Sequence, residues 1–260
     1  MTLQIVLPAR LASSRLSEKL LRRVNGRSIL WHTYQAAGRA SCCDSPPLVA
    51  VDDMRLADEV DSFGGRWVMT PADCASGTDR IAFVADQHPE VDIWINVQSD
   101  EPEIDPAAID AVAAAIRSDP SVDLSTAGTP IRSVDALDDP SIVKIVWSAI
   151  TAERGRAIYF SRSRVPFDRD GDAATWLTAE PPVFWHHLGL YGYRRDFLAW
   201  FAATEPSPLE KLEKLEQLRA IEAGKRIHVA RVPSAQPGID TEADLAAFRK
   251  RREDAETRTK

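Results

Sequence analysis

Leu3-Gln4-Ile5-Val6-Leu7-Pro8-Ala9-Arg10-Leu11-Ala12-Ser13-Ser14-Arg15-Leu16-Ser17-Glu18-Lys19-Leu20 decides how the rest of the chain is read. Its apolar start, Leu3 to Leu7, reads as a buried strand. Ile29-Leu30-Trp31-His32-Thr33-Tyr34 then reads as the start of a helix. Between them lies a loop with three cations, Arg10, Arg15 and Lys19, and two hydroxyls, Ser13 and Ser14. Like charges gathered at a strand end repel unless an anion sits among them. A polyphosphate fits, because its oxygens match Arg and Lys donors.

Outward from this loop, strand and helix alternate. Candidate strands are Ile5–Pro8, Leu48–Val51, Arg66–Met69, Ile93–Val97 and Leu124–Thr129; candidate helices are Ile29–Arg39, Arg55–Phe63, Asp79–Gln87 and Pro106–Arg117. Short apolar strands alternating with helices predict an α/β fold with a doubly wound, mostly parallel sheet. In such sheets ligands bind beyond the carboxyl ends of strands, where Arg10 to Lys19 and Gln98 to Glu101 both fall. Neither a Gly-x-Gly-x-x-Gly nor a P-loop sequence occurs. From Ser133 to Tyr193 the pattern turns irregular and β-rich, with a polar loop expected over Asp168–Pro182. Leucines at 209, 212, 215 and 218 with Ile221 predict one helix ending at Gly224. Thr241-Glu242-Ala243-Asp244 predicts the cap of a last helix that frays into a charged tail. The expected division is an α/β core over 1–132 and 205–250, a β-rich segment over 133–204 and a tail over 251–260.

The 260 residues carry 44% hydrophobic and 27% charged residues and a formal net charge of −7. An acidic chain is unsuited to general nucleic-acid binding and must concentrate its cations locally to handle anions. No apolar run reaches membrane-spanning length and no secretory leader is visible, so a cytoplasmic protein without a membrane partner is expected. Three cysteines, two of them the adjacent Cys42 and Cys43, make no disulfide framework.

Further blocks follow the first in order: Met69-Thr70, Ser76-Gly77-Thr78-Asp79-Arg80, Asn96-Val97-Gln98-Ser99-Asp100-Glu101-Pro102, Tyr159-Phe160-Ser161-Arg162, His187 to Arg194, Pro206 to Glu210, Leu215 to Arg219 and Gly238-Ile239-Asp240-Thr241. In this order, from about Leu3 to about Arg249, the chain resembles the CMP-Kdo synthetase family, the 3-deoxy-manno-octulosonate cytidylyltransferases. The resemblance implies transfer of CMP from CTP to a small acidic acceptor, by default 3-deoxy-manno-octulosonate, with release of pyrophosphate. It places the reaction in lipopolysaccharide biosynthesis.

The resemblance implies catalytic roles for Arg10, Lys19, Asp100 and Asp240, with Mg2+ as cofactor held by Asp100 and Asp240. Taken alone, both aspartates also read as turn or cap residues. Arg10, Arg15 and Lys19 would neutralise the β- and γ-phosphates, with Ser13 and Ser14 beside them. Pro8, Ala9, Thr70, Ser76, Gly77 and Arg80 would select the base, and Gln98 would meet nucleotide or acceptor. Lys144, Arg162, His187, Tyr191, Glu216 and Gln217 would line the acceptor pocket, Arg162 offering a fork to a carboxylate. A homodimer is implied, with the irregular segment as its contact.

Three positions depart from the family pattern: Ser17-Glu18 replaces Pro-Gly before the lysine, Ser99 replaces Gly before the metal aspartate, and Cys74-Ala75 precede Ser-Gly-Thr where His is usual. They leave a phosphonate such as phosphonoformate as the rival acceptor. A non-catalytic CTP-binding module is the rival from another class.

Overall fold

The structure, a computed structural model, describes residues 1–13, 16–42, 45–171, 173–235 and 237–259, with backbone alone for 256–259. Ser14, Arg15 and Cys43 lie outside the described residues.

Two compact units form: Met1–Asp110 with Gln236–Lys260, and Ala111–Ala235. In the first, β1 (Leu3–Ala9) is buried along its whole length, as an apolar run without alternation requires when both faces are covered. A short hairpin, β2 (Arg23–Val24) and β3 (Arg27–Ser28), leads to α1 (Ile29–Ala37). There follow β4 (Leu48–Val51), α2 (Met54–Ser62), β5 (Arg66–Met69), α3 (Gly77–Gln87), β6 (Ile93–Asn96) and α4 (Pro106–Arg117), whose residues fall in the first unit up to Asp110 and in the second from Ala111. Ser28, Asp53 and Ser76 cap α1, α2 and α3 by accepting the free N–H of Trp31, Arg55 and Asp79.

The four long strands of this unit are parallel, in the order β5-β4-β1-β6. From β1 the chain steps outward to β4 and β5, then returns to β6 on the other side. The reversal point therefore lies between β1 and β6, where such sheets open a crevice. Ala9 pairs with Val51 and Val51 with Met69, so the loops after β1, β4 and β5 leave one edge together.

The second unit holds β7 (Leu124–Pro130), α5 (Val134–Asp138), β8 (Lys144–Ala149), β9 (Arg154–Ser161), α6 (Ala173–Leu177), β10 (Trp185–Arg194), α7 (Arg195–Ala202), α8 (Pro208–Glu213), α9 (Gln217–Glu222) and β11 (Ile227–Arg231). Its strands run β10-β7-β11-β9-β8, parallel only between β7 and β11. The chain ends in α10 (Glu242–Thr259), part of the first unit. Thr241 and Asp244 cap α10 reciprocally, each side chain accepting the other's backbone N–H.

The α/β architecture is as the sequence predicts, with four differences in detail. The units divide near 110 and 236 rather than at 132, 204 and 250, because β7 pairs only with β10 and β11 of its own unit. Residues 168–182 contain α6, whose Ala173 and Leu177 are buried with Ile131, Leu137 and Phe184. The single helix expected over 209–224 is two, broken at Lys214, whose φ is +55°. The break lets the Arg219 guanidinium fork onto the Glu210 carboxylate at 2.7 and 2.6 Å, closing α9 against α8. Finally, α10 continues through 251–259 instead of fraying. No helix among the described residues is long and apolar enough to cross a membrane.

Candidate functional site

A cavity of about 310 Å3 opens in the first unit. Pro8, Arg10, Ala12 and Ser13 line it from the loop after β1, and Gln98, Ser99 and Asp100 from the loop after β6. Lys19, Leu20, Gly77 and Asp240 complete the wall. The cavity thus sits at the sheet's reversal point, where parallel strands leave unpaired backbone groups and loop side chains converge.

On this wall Lys19 joins two acids. Its ammonium donates to the Asp100 carboxylate and, at 2.8 Å, to Asp240 Oδ1. Burial opposes the charge, but the two carboxylates outweigh it and hold the lysine above its ordinary pKa. The acids, far apart in sequence, therefore share one cation. Ile239 N donates to the Asp100 carbonyl at 2.9 Å, which joins the two loops by main chain. The Asp244 carboxylate holds the Asp240 N–H at 3.1 Å. Glu101, beside Asp100, is pushed up to about 8 by burial and then by that neighbour's charge.

Two hard carboxylate oxygen donors suit magnesium, which binds few protein carboxylates and keeps waters or phosphate oxygens in its other positions. Among the described residues no group of three or more His, Cys, Asp or Glu could form an all-protein metal cage. The two convergent carboxylates fit an ion shared with a ligand.

Other expected nucleotide residues lie beneath the wall or hold it. Ala9 is a fully buried strand end. Thr70 donates its hydroxyl to the Val51 carbonyl at 2.8 Å and accepts from Arg80. Ser76 caps α3. Arg80, expected to meet the base, is fully buried; its guanidinium goes to Thr70 and, at 3.3 Å, to Asp52. Arg10, on the wall, also donates to the Cys74 carbonyl at 2.8 Å.

The acceptor candidates other than Gln98 belong to the second unit. Tyr191 donates to Gln217 Oε1 at 3.2 Å, and the Gln217 amide faces His187 Nδ1 at 3.5 Å. Gly189 and Leu190 bulge out of β10, so Tyr191 returns opposite Thr126 with its ring 5.4 Å from that of His187. Burial, with the nearby His186 adding to it, pulls His187 down to about 3, so its ring is neutral. Glu216 stands half-exposed at the N-terminus of α9.

Two side chains in this group do other work than expected. Lys144 is fully buried and donates to the carbonyls of Asp139 and Ile142 at 3.0 and 2.8 Å; burial lowers its pKa. Arg162 donates to the carbonyls of Glu213, Pro140 and Lys214, at 2.7, 2.9 and 3.4 Å. Its expected carboxylate fork is spent on main chain, because the loop ends around it carry carbonyls that no strand satisfies.

Residues 4–227 match the Cytidylyltransferase family. A 3-deoxy-manno-octulosonate cytidylyltransferase of Rhodopirellula baltica is 55% identical over 248 residues, covering 95% of this chain and 97% of that protein. The chain belongs to this family. A second such relative, of Syntrophotalea carbinolica, is 43% identical over 247 residues, covering 94% of this chain and 96% of that protein. Among solved structures, a CMP:2-keto-3-deoxy-manno-octonic acid synthetase complexed with CTP superposes with a TM-score of 0.88 at 36% identity, covering 98% of this chain and all of that one. A cytidylyltransferase of Leptospira borgpetersenii, at 13% identity and a TM-score of 0.61 over 96% of this chain and 85% of that one, shares the fold. The chain is a nucleotidyltransferase enzyme.

Two of the three departures from the family pattern have local explanations. Glu18 adopts φ +49°, a backbone state that suits the glycine usual there, and its carboxylate pairs with Arg55 at 2.6 Å instead of offsetting Lys19. Ser99 donates its hydroxyl to the Pro8 carbonyl at 2.7 Å, fastening the β1 loop to the β6 loop. Sequence reasoning missed Asp52, Thr126 and Glu213, and read Asp244 only as part of the α10 cap. Asp52 alone had a legible signal, as an acid directly after β4 on the same edge as the basic loop.

Proposed function

We propose that this chain transfers CMP from CTP to 3-deoxy-manno-octulosonate and releases pyrophosphate; its relatives are named as cytidylyltransferases of that acceptor, and the structural neighbour at 36% identity is complexed with CTP. The convergence of Asp100 and Asp240 on Lys19, in a cavity that also holds Arg10, carries the proposal. The acceptor hydroxyl attacks the α-phosphorus, a new P–O bond forms, and the bond to the β-phosphate oxygen breaks. Such transfer needs positioning and charge neutralisation more than covalent chemistry from protein. Arg10 and Lys19, both on the cavity wall, meet the phosphate oxygens as cations. Magnesium, which Asp100 and Asp240 would hold, supplies neutralisation of phosphate charge and polarisation of phosphorus when bound. Pro8, Gly77 and Gln98 form the wall that the nucleoside meets.

Tyr191, Glu216 and Gln217 are the acceptor-facing set, with neutral His187 orienting the Gln217 amide. A cytoplasmic location is part of the proposal, since nucleoside triphosphates are made there. A homodimer is part of the proposal; Phe167 and Trp176, 82% and 47% exposed in the second unit, are apolar surface that a second copy would cover. A phosphonate acceptor is not favoured, since the relatives at 55% and 43% identity both carry the octulosonate name.

A pyrophosphate-release assay with CTP and magnesium tests the reaction. Turnover is expected with 3-deoxy-manno-octulosonate and not with phosphonoformate. Turnover with the phosphonate alone would replace the sugar acid as acceptor. CTP binding by calorimetry without turnover of either would reduce the chain to a binding module.

A further inference from the structure

Asp52 follows β4 at the edge from which the loops after β1 and β5 also emerge. One carboxylate oxygen accepts the Leu11 N–H at 2.9 Å. Its other oxygen pairs with Arg80 Nη2 at 3.3 Å, between side chains 10% and 0% exposed. Leu11 lies between Arg10 and Ala12, which both line the cavity, and Arg80 lies on α3, whose first residue, Gly77, also lines it. Arg80 in turn holds Thr70 at the end of β5. Arg10 is close enough to repel Arg80, so the carboxylate also lets two cations share this corner.

From these contacts we propose that Asp52 is a positioning residue for the triphosphate: it fixes the basic loop in its gripping conformation by holding Leu11 and Arg80 at once. It touches no reacting atom. A carboxylate is required because a neutral acceptor would leave the buried guanidinium without a counter-charge. The inference rests on the reading of the cavity as the CTP site.

Asp52→Ala and the double variant Asp52→Ala/Arg80→Met test it. Loss of the counter-charge alone destabilises the single variant, whereas the double variant buries no unpaired charge. A positioning role predicts that the double variant regains thermal stability, yet keeps a KM for CTP at least tenfold above the unaltered enzyme's. The KM for the acceptor is expected within twofold. The Leu11 N–H lacks its acceptor there and regains an oxygen in Asp52→Asn/Arg80→Met, whose KM for CTP is expected several-fold lower; because both double variants lack Arg80, that difference reads the Leu11 contact, and equal KM values would overturn the proposal. An Asp52→Ala/Arg80→Met variant with normal KM for CTP, or with both KM values raised equally, would overturn it too. Failure of the unaltered enzyme to turn over CTP would instead overturn the reading of the cavity, and the inference with it.

Discussion

Lys19 and Lys144 stand in the two units and meet opposite fates. Lys19 reaches two carboxylates on a cavity wall and is held above its ordinary pKa. Lys144 reaches two carbonyls in full burial and falls below its ordinary pKa. A full negative charge offsets the desolvation of an ammonium, and a carbonyl dipole offsets less of it. The contrast extends to the units. In the first, polar side chains line a space that a ligand can fill. In the second, Arg162, Lys144 and His187 direct their donors and acceptors to the protein itself.

Exchanging each lysine for methionine breaks the comparison most sharply. Lys19→Met is expected to lower kcat/KM by about 10^2- to 10^3-fold, the scale for losing one charge-stabilising donor. Lys144→Met is expected to leave kcat/KM within about threefold and to change the denaturation midpoint instead, since its partners are structural. Steady-state kinetics and urea unfolding on both variants separate the two; a large rise in acceptor KM for Lys144→Met would return that lysine to the acceptor site.

The neutral His187 sharpens it in pH. With its folded pKa at about 3 and an ordinary value of 6.5, the unfolded chain binds more protons between those values. Stability therefore rises with pH through that window and levels off above it. His187→Gln is expected to flatten this slope by up to one proton. Unfolding free energies measured from pH 4 to 7 check it, and an unchanged slope would mean that His187 titrates normally in the folded enzyme.

The smallest effect is expected beside the cavity. Glu18→Gly relieves the left-handed backbone at φ +49° and removes an exposed pair with Arg55. The net gain is expected at up to about 1 kcal/mol by urea titration, because exposed pairs contribute little. A loss would mean that the Arg55 contact outweighs the strain.

The strands of the first unit were legible as short apolar runs, and β1, β4, β5 and β6 fall where those runs are. Asp100 and Arg10 were legible as charged residues just beyond strand ends, and Lys19 as a cation farther along the loop that follows β1. The break at Lys214 was not legible. Leucines spaced by three promise one helix, yet Leu212 is 79% exposed while Leu218 is fully buried. The break goes with the Glu210–Arg219 pair, a contact between side chains nine residues apart that spacing along the chain does not announce. Arg162 misled for a similar reason. A guanidinium looks the same in sequence whether its partner is a carboxylate or a carbonyl.

By itself the sequence determined the alternation of strand and helix and the edge on which the charged loops lie, because period, run length and strand-end placement are local properties. It determined the family as well, through many blocks in one order. Only the tertiary structure decided which charges act outward and which are consumed within. Desolvation depends on what surrounds a side chain in space, and a lysine acquires that environment only when the chain has folded around it.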